Sequence, residues 1–101
     1  LKEGVKVGLS RFPVKPGFFA TVKSCNYLPN VLMKKEAIDS GVDYTVALDE
    51  KGFVAEGSTE NLGCVTAEGD LVIPSFQRTL QGVTATRILI FAQELVGQGL
   101  L

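Results

Sequence analysis

The 101-residue sequence contains no histidine and no tryptophan, and its only two cysteines are Cys25 and Cys64. Without histidine and without a Cys-x-x-Cys pair, the chain lacks both the usual ligand set for a transition metal and the base that activates a catalytic cysteine. We therefore predict that it has no metal site. Both cysteines lie in apolar stretches, and we expect them to be buried free thiols.

A strong charge imbalance and a long apolar segment are also missing. The net charge is -1 with 21% charged residues, which gives no electrostatic reason to expect nucleic acid or anionic membrane as a partner. The longest apolar run, at 88–92, is far shorter than the about 20 residues that span a bilayer, and no basic-then-apolar signal segment opens the chain. We therefore expect a protein that is cytoplasmic, or organellar as in a plastid or mitochondrion, and not secreted.

The first half of the chain predicts a strand followed by a helix. Pro13 and Pro16 indicate an irregular opening, and the aromatic and β-branched stretch 18–22 predicts a buried strand that ends at Lys23. From residue 28 onward, apolar side chains at 28, 31, 32 and 38 predict an amphipathic helix. Pro29 suits its first turn and Gly41 suits its end.

The second half predicts two hairpins and a final helix. Stretches 44–48 and 53–57 flank a polar turn, and stretches 62–66 and 71–73 flank another. Apolar residues at 88, 91, 92, 95 and 96 predict a helix with one buried stripe, starting near Thr84 and ending by Gly97. A chain of this length forms one domain, and the order of elements predicts the α+β (mixed α/β) class.

Lys23 and Glu56 are polar residues at predicted strand ends. A lysine beside apolar walls loses hydration, which lowers its pKa and makes a nucleophilic amine available for a Schiff base. The alternative for Lys23 is an ordinary exposed lysine. Glu56 precedes small residues that allow close approach, so its carboxylate could keep a heteroaromatic nitrogen protonated. The alternative for Glu56 is a turn carboxylate.

Thr84 lies at the start of the final helix, after Gly82. The unpaired N–H groups of a helix start bind anions, and a threonine hydroxyl adds a donor for phosphate. The alternative is a plain threonine cap. Taken together, an amine, a carboxylate and a phosphate site are what an enzyme needs to hold pyridoxal 5'-phosphate.

Three segments then carry a family resemblance: TVKSCNYLPNVLMKKEA, VALDEKGFVAEGSTENLGCV and LVIPSFQRTLQGVTATRIL. In order and spacing they resemble the second half of the class IV (fold type IV) pyridoxal-phosphate enzymes, which include branched-chain and D-amino acid aminotransferases and aminodeoxychorismate lyases. The resemblance runs from about residue 18 to about residue 95. It implies that residues 1–101 form most of the larger C-terminal domain of the D-amino acid aminotransferase-like fold, a sheet or pseudo-barrel with flanking helices.

The resemblance also implies what lies outside the sequence. The smaller N-terminal domain and the extreme C-terminus of the family have no counterpart here, and the start at Leu1 instead of methionine suggests a piece of a longer protein. Family members are dimers with active sites near the subunit interface. We therefore expect the full-length protein to be a homodimer.

The resemblance implies roles in the chemistry for three residues. Lys23 is expected to be the Schiff-base lysine that also moves the proton between the substrate Cα and the cofactor. Glu56 is expected to contact the pyridine nitrogen. Tyr27 is similar to the tyrosine that branched-chain enzymes place at the phenolic oxygen of the cofactor.

For the remaining site residues, the resemblance implies roles in binding the cofactor. Val83, through its backbone N–H, and Thr84 are expected to hold the phosphate, and Ser58 and Thr59 are expected to line the cofactor face. The family commonly has arginine directly after the phosphate threonine, whereas Arg87 stands three residues later here.

The sequence therefore predicts pyridoxal-phosphate-dependent transamination between an amino acid, branched-chain or D-configured, and a 2-oxo acid. One alternative is an aminodeoxychorismate lyase that uses the same lysine and carboxylate to eliminate pyruvate. The other is a non-catalytic, truncated family member that acts as a binding or structural module.

Overall fold

The structure, a computed structural model, describes residues 2–101 and contains two helices, a 3-10 helix and five strands within that range. In chain order these are β1 (Val7–Leu9), the 3-10 helix (Gly17–Thr21), α1 (Leu28–Ser40), β2 (Tyr44–Leu48), β3 (Val54–Gly57), β4 (Cys64–Val65), β5 (Leu71–Val72) and α2 (Val83–Gly97). This mixture of helices and strands confirms the predicted α+β class.

The main sheet has the strand order β1-β2-β3, with β1 parallel and β3 antiparallel to β2. The β2–β3 pair is the first predicted hairpin. Its turn is closed by Asp49, whose Oδ1 accepts the N–H groups of Lys51 and Phe53 at 2.8 and 3.0 Å. Gly52 takes a left-handed φ of 82° there, a conformation that favours glycine.

Strand β1 corrects the prediction of an irregular opening segment. The prolines begin only at Pro13, and the residues before them are free to pair with the open edge of β2. Ser10 N–H continues this pairing by donating to Val46 O at 2.8 Å. The strand was missed because its three residues carry no local pattern, and the edge that they pair with lies far along the chain.

The second predicted hairpin is confirmed as the two-stranded sheet β4–β5. Its strands are shorter than predicted, with two residues each. Thr66 N–H closes the turn by donating to Asp70 O at 2.9 Å.

Helix α1 begins and ends as predicted. Pro29 occupies its first turn, and Gly41 ends it at φ 69°, in the left-handed region. Its buried residues are Met33 and Ala37, and Thr45 Oγ1 of β2 donates to Met33 O at 2.9 Å. The predicted apolar face is wrong, because Leu28, Val31 and Ile38 are exposed. The helix contacts β2 through the side that carries the small Ala37, which permits close approach.

Glu36 ties α1 to the opening segment. Its Oε2 accepts the Ser10 hydroxyl at 2.6 Å, and its Oε1 accepts Arg11 Nε at 3.0 Å. The Ser10 hydrogen bond, followed by the bond to the Arg11 backbone N–H and the Arg11 charge, lowers the pKa of the Glu36 carboxyl in spite of its partial burial. These contacts fix the start of the proline-containing segment that leads to Lys23.

The predicted strand at 18–22 is wrong. These residues belong largely to the 3-10 helix, in which Ala20 is buried while Phe18 and Phe19 are 74% and 66% exposed. Gly17 has a left-handed φ of 53° that turns the chain, and Thr21 Oγ1 donates to Phe18 O at 2.7 Å. Within residues 2–101, the aromatic residues that suggested a strand have no neighbouring strand to pair with.

Helix α2 has the predicted bounds but not the predicted burial. None of its residues is buried, and Ile88, Phe91, Leu95 and Val96 are exposed. The apolar stripe is real as a pattern, but no element within residues 2–101 covers it. No helix in this range is long and apolar enough to cross a membrane.

The prediction of buried thiols is also wrong. Cys25 and Cys64 are free, and both are exposed. Cys25 lies in the irregular segment before α1, and Cys64 lies in the short β4, neither of which packs into the core formed around β2.

Candidate active site

All seven predicted site residues line one cleft of about 730 Å³. They are Lys23, Tyr27, Glu56, Ser58, Thr59, Val83 and Thr84. The cleft lies between the segment that follows the 3-10 helix, the end of β3, the second hairpin and the start of α2. Its volume lies in the range of about 300–1,000 Å³ that is usual for small-molecule sites.

Lys23 and Tyr27 form one wall of the cleft. They lie between the 3-10 helix and α1, and Tyr27 is the N-cap residue of α1. Tyr27 N–H donates to Cys25 O at 2.8 Å, a tight turn that keeps the two side chains on one short segment. Lys23 is exposed, so the predicted loss of hydration is wrong. The lysine follows an open 3-10 helix instead of a buried strand, and water reaches it.

Glu56 enters the cleft from β3 because side chains alternate along a strand. Ala55 and Gly57 are buried on one face, and Glu56 between them is partly buried on the other. Its Oε2 accepts Leu80 N–H at 3.1 Å and Asn61 Nδ2–H at 3.3 Å. Its Oε1 accepts no hydrogen bond from residues 2–101 and remains available to a ligand.

Burial raises the pKa of the Glu56 carboxyl above its usual range, against the opposing effects of the Leu80 N–H bond and the Lys15 charge. Lys15 also lines the cleft. The carboxyl is therefore set in an environment that a cationic N–H partner would complement.

Ser58 and Thr59 follow Glu56 on the same wall. Ser58 is buried, and its carbonyl accepts Asn30 Nδ2–H from α1 at 2.5 Å. The Thr59 hydroxyl donates to the Glu60 carboxylate. Thr59 is thus engaged by its neighbour, whereas Ser58 is held in place through its backbone.

The start of α2 supplies a group of unpaired donors. Its N-cap is Gly82, which gives no side-chain cap, and the first helical bond runs from Thr86 N–H to Gly82 O at 3.0 Å. Within residues 2–101, the backbone N–H groups of Val83, Thr84 and Ala85 and the Thr84 hydroxyl have no hydrogen-bond partner. The plain-cap interpretation of Thr84 is wrong, because the cap position belongs to Gly82 and Thr84 lies inside the helix.

Arg87 takes no part in this donor group. Its guanidinium lies over the Phe91 ring, 4.9 Å from the centroid, within α2 itself.

Polar and charged cleft residues that the sequence analysis did not name as site residues include Lys15, Asn30, Glu60 and Asn61. The role of Asn61 could have been predicted from the sequence. Its side-chain amide lies five residues after the candidate carboxylate Glu56, and small residues between them allow a turn that brings the two groups into hydrogen-bond distance. The role of Lys15 could not, because a lysine between two prolines suggests only an exposed linker.

Residues 2–100 match the family described as Amino-transferase class IV. The chain belongs to this family. The match covers nearly the whole class IV chain and confirms the family that the three sequence segments indicated.

Two curated relatives support the class IV assignment. The chain is 48% identical over 99 residues to the chloroplastic D-amino-acid transaminase of Arabidopsis thaliana, a match that covers 97% of this chain and 26% of the relative. It is 38% identical over 90 residues to the putative branched-chain-amino-acid aminotransferase of Methanocaldococcus jannaschii, covering 89% of this chain and 31% of that protein. The class IV chain thus spans about a quarter to a third of the length of these relatives.

A solved structure confirms the class IV fold. The T.th. branched-chain amino acid aminotransferase, in complex with N-(5'-phosphopyridoxyl)-L-glutamate, superimposes with a TM-score of 0.84 at 32% identity. The superposition covers 92% of this chain and 32% of that one.

Proposed function

We propose that this chain forms the cofactor-binding part of a pyridoxal-phosphate-dependent transaminase, which moves an amino group between a branched-chain or D-amino acid and a 2-oxo acid. One observation carries the proposal: the Lys23 amine, the unpaired Oε1 of Glu56 and the uncapped start of α2 face the same cleft. The two curated relatives are named as a transaminase and an aminotransferase, which favours amino-group transfer over the lyase alternative.

The donor set of the cleft fits the three polar ends of pyridoxal 5'-phosphate. The free N–H groups of Val83 and Thr84, with the Thr84 hydroxyl, suit the phosphate, because a helix start favours an anion. Glu56 Oε1 suits the ring nitrogen as an acceptor of its N–H. Ser58 and Thr59 line the face between these ends, and the Tyr27 hydroxyl offers a donor to the phenolic oxygen.

When bound, pyridoxal 5'-phosphate supplies an electron sink that stabilises negative charge on the substrate Cα. Attachment of the cofactor, proton transfer and protonation of the ring nitrogen are assigned to residues of this chain. Lys23 would hold the cofactor aldehyde through its primary amine and would move a proton between the substrate Cα and the cofactor. Glu56 keeps a proton on the ring nitrogen by remaining a carboxylate, a state that the Leu80 N–H bond and the Lys15 charge favour.

The cofactor proposal is tested by covalent mapping in the full polypeptide that contains this chain. We expect a visible absorption band after incubation with pyridoxal 5'-phosphate, its loss on borohydride reduction, and a pyridoxyl mass adduct on Lys23. The variant Lys23→Ala is expected to lose the adduct. Lys15→Ala, which removes the other lysine of the same cleft, is the matched control and is expected to keep it.

An adduct on Lys15, or an unchanged band in Lys23→Ala, would contradict the role of Lys23.

The reaction itself is tested by incubating the cofactor-loaded protein with L- or D-amino acids and 2-oxo acids and measuring the new amino acid. Release of pyruvate from aminodeoxychorismate would favour the lyase alternative, and neither reaction would favour the non-catalytic module.

We further propose that residues 1–101 are one domain of a longer polypeptide that acts as a homodimer on small-molecule substrates, with neither nucleic acid nor membrane as a partner. The coverage of 26% and 31% of the curated relatives supports the longer chain. The exposed apolar face of α2 supports a covering segment or subunit. Light scattering on the full polypeptide tests this, and a monomer would contradict the dimer.

The proposed compartment is the cytoplasm or an organelle such as a plastid. One relative is named as chloroplastic, which supports the organellar possibility. A fluorescent fusion of the full polypeptide, imaged in its own cell type, tests it, and secretion of the fusion would contradict it.

A further inference from the structure

The Asn61 amide lies between the two polar ends of the proposed cofactor site. Its Nδ2 donates to Glu56 Oε2 at 3.3 Å and to Leu80 O at 2.9 Å. Leu80 N–H donates to the same Glu56 oxygen at 3.1 Å. One side-chain amide and one peptide group therefore join the end of β3 to the segment that enters α2.

The position of Asn61 is fixed on both sides. Its backbone pairs with Glu56 in an antiparallel bridge across the small-residue turn. A Cβ at Gly82 would overlap Asn61 Oδ1, so the amide lies directly against the backbone of the α2 cap. The backbone of Gly82 therefore blocks any movement of the amide toward the helix cap.

This arrangement has two consequences for the cleft. Both hydrogen bonds fall on Glu56 Oε2, which leaves Oε1 as the oxygen that faces a ligand. The same amide holds Leu80 three residues before Val83, the first residue of the unpaired donor group. The separation between the carboxylate and the anion-binding donors is thus set by the Asn61 amide together with the Leu80 peptide group, which pre-organises both ends.

We propose that Asn61 is a positioning residue that sets the distance and orientation between Glu56 and the N-terminus of α2, and so fits the site to a ligand with a cationic N–H at one end and a phosphate at the other. This inference rests on the proposed function, because it takes the distance between Glu56 and the start of α2 to be matched to pyridoxal 5'-phosphate.

The first test uses hydrogen–deuterium exchange on the cofactor-free full polypeptide. In Asn61→Ala we expect exchange at the Leu80 and Thr86 amides to rise at least about tenfold, because their acceptors Glu56 Oε2 and Gly82 O are no longer held in register. Exchange in β2 is expected to stay unchanged. The matched control, Gln93→Ala, removes an exposed amide of α2 that makes no hydrogen bond within residues 2–101.

The second test measures the dissociation constant for pyridoxal 5'-phosphate across pH. We expect about tenfold weaker binding in Asn61→Ala. In Asn61→Asp the loss is expected to exceed that in Asn61→Ala throughout pH 5.5 to 8, because an aspartate, with an ordinary pKa of about 3.9, is ionised over this range, cannot donate to Glu56 or to Leu80 O, and repels the Glu56 carboxylate. The other charged groups of the cleft, Lys15, Lys23 and Glu60, are shared with the wild type, so the comparison with wild type at each pH isolates position 61.

The outcomes separate the inference from the proposed function. Unchanged exchange at Leu80 and Thr86, or an equal rise throughout β2, would overturn the positioning role, since the second result is general destabilisation. A loss in Asn61→Asp that is no greater than the loss in Asn61→Ala would also overturn it. A wild-type protein that binds no cofactor would overturn the proposed function alone, and the exchange experiment would still decide whether Asn61 joins the two segments.

Discussion

Glu56 is the residue at which stability and function oppose each other. Its burial raises the pKa of the carboxyl, and the Leu80 N–H bond and the Lys15 charge only partly offset this. A carboxyl whose pKa is raised by folding favours the protonated state, so it supports folding at low pH. That contribution is lost as pH rises from the usual value of 4.5 through the raised value.

Glu56→Gln is therefore expected to make the cofactor-free polypeptide more stable than wild type at pH 7, because the buried charge is removed while a carbonyl oxygen remains to accept Leu80 N–H. The difference is expected to disappear below pH 4.5, where the wild-type carboxyl is protonated in both states. Urea unfolding midpoints at the two pH values measure this. The same variant is expected to lose about 100-fold or more in transamination rate, since a fixed electrostatic contact is removed. A variant that is less stable than wild type at pH 7 would contradict the argument.

At the scale of elements, α2 begins without the side-chain cap that most helices use. Ser, Thr, Asp or Asn at the cap position would pair one of the free N–H groups and stabilise the helix. Gly82 leaves them open and also allows Asn61 to lie against the backbone. The helix start is thus less stable than it could be, and this is consistent with reserving its donors for an anion.

Gly82→Ala is expected to destabilise the protein by about 1 kcal/mol, because the new Cβ would overlap Asn61 Oδ1 and displace the side chain from its hydrogen bonds to Glu56 and Leu80. It is also expected to weaken binding of pyridoxal 5'-phosphate by displacing the amide. Gly97→Ala is the control in the same helix, since a Cβ there meets nothing within 4 Å. That change is expected to be neutral or to stabilise by about 0.5–1 kcal/mol. Denaturant unfolding measures both, and equal effects of the two variants would refute the packing argument.

At the scale of the whole molecule, the main feature is apolar surface that is exposed instead of packed against another segment. Phe18 and Phe19 on the 3-10 helix and Phe91 on α2 are at least half exposed, and the buried core is built mostly of alanine, valine and methionine. Domains of about 100 residues bury only a modest share of their surface, and exposed apolar patches of this kind mark contact surfaces.

We expect the isolated 101-residue chain to bind the dye ANS strongly and to form aggregates larger than a dimer, whereas the full polypeptide is expected to bind little dye and to stop at the proposed homodimer, because further chain or a second subunit would cover these residues. Fluorescence titration and light scattering at equal molar concentrations measure the difference. A double variant with serine at Phe91 and Val96 is expected to reduce dye binding by the isolated chain. Equal dye binding by the isolated chain and the full polypeptide would argue that the face stays open to water.

What the sequence determined by itself was local. Pro29 and Gly41 set the ends of α1 through the φ angles they favour, and short polar turns predicted both hairpins. The amine, carboxylate and helix-start donors could be named from residue type and neighbours alone, because their chemistry depends on the groups they carry.

The tertiary structure decided everything that depends on a distant partner. Whether Val7–Leu9 pairs as a strand depends on the open edge of β2, and whether the stripe of α2 is buried depends on what lies against it. The exposure of Lys23 and the bridging of Glu56 to Leu80 by Asn61 likewise arise from segments that meet only after folding. The periodicity of apolar residues can be recognised within one segment. Burial and hydrogen bonding depend on two segments that contact each other only in the folded protein.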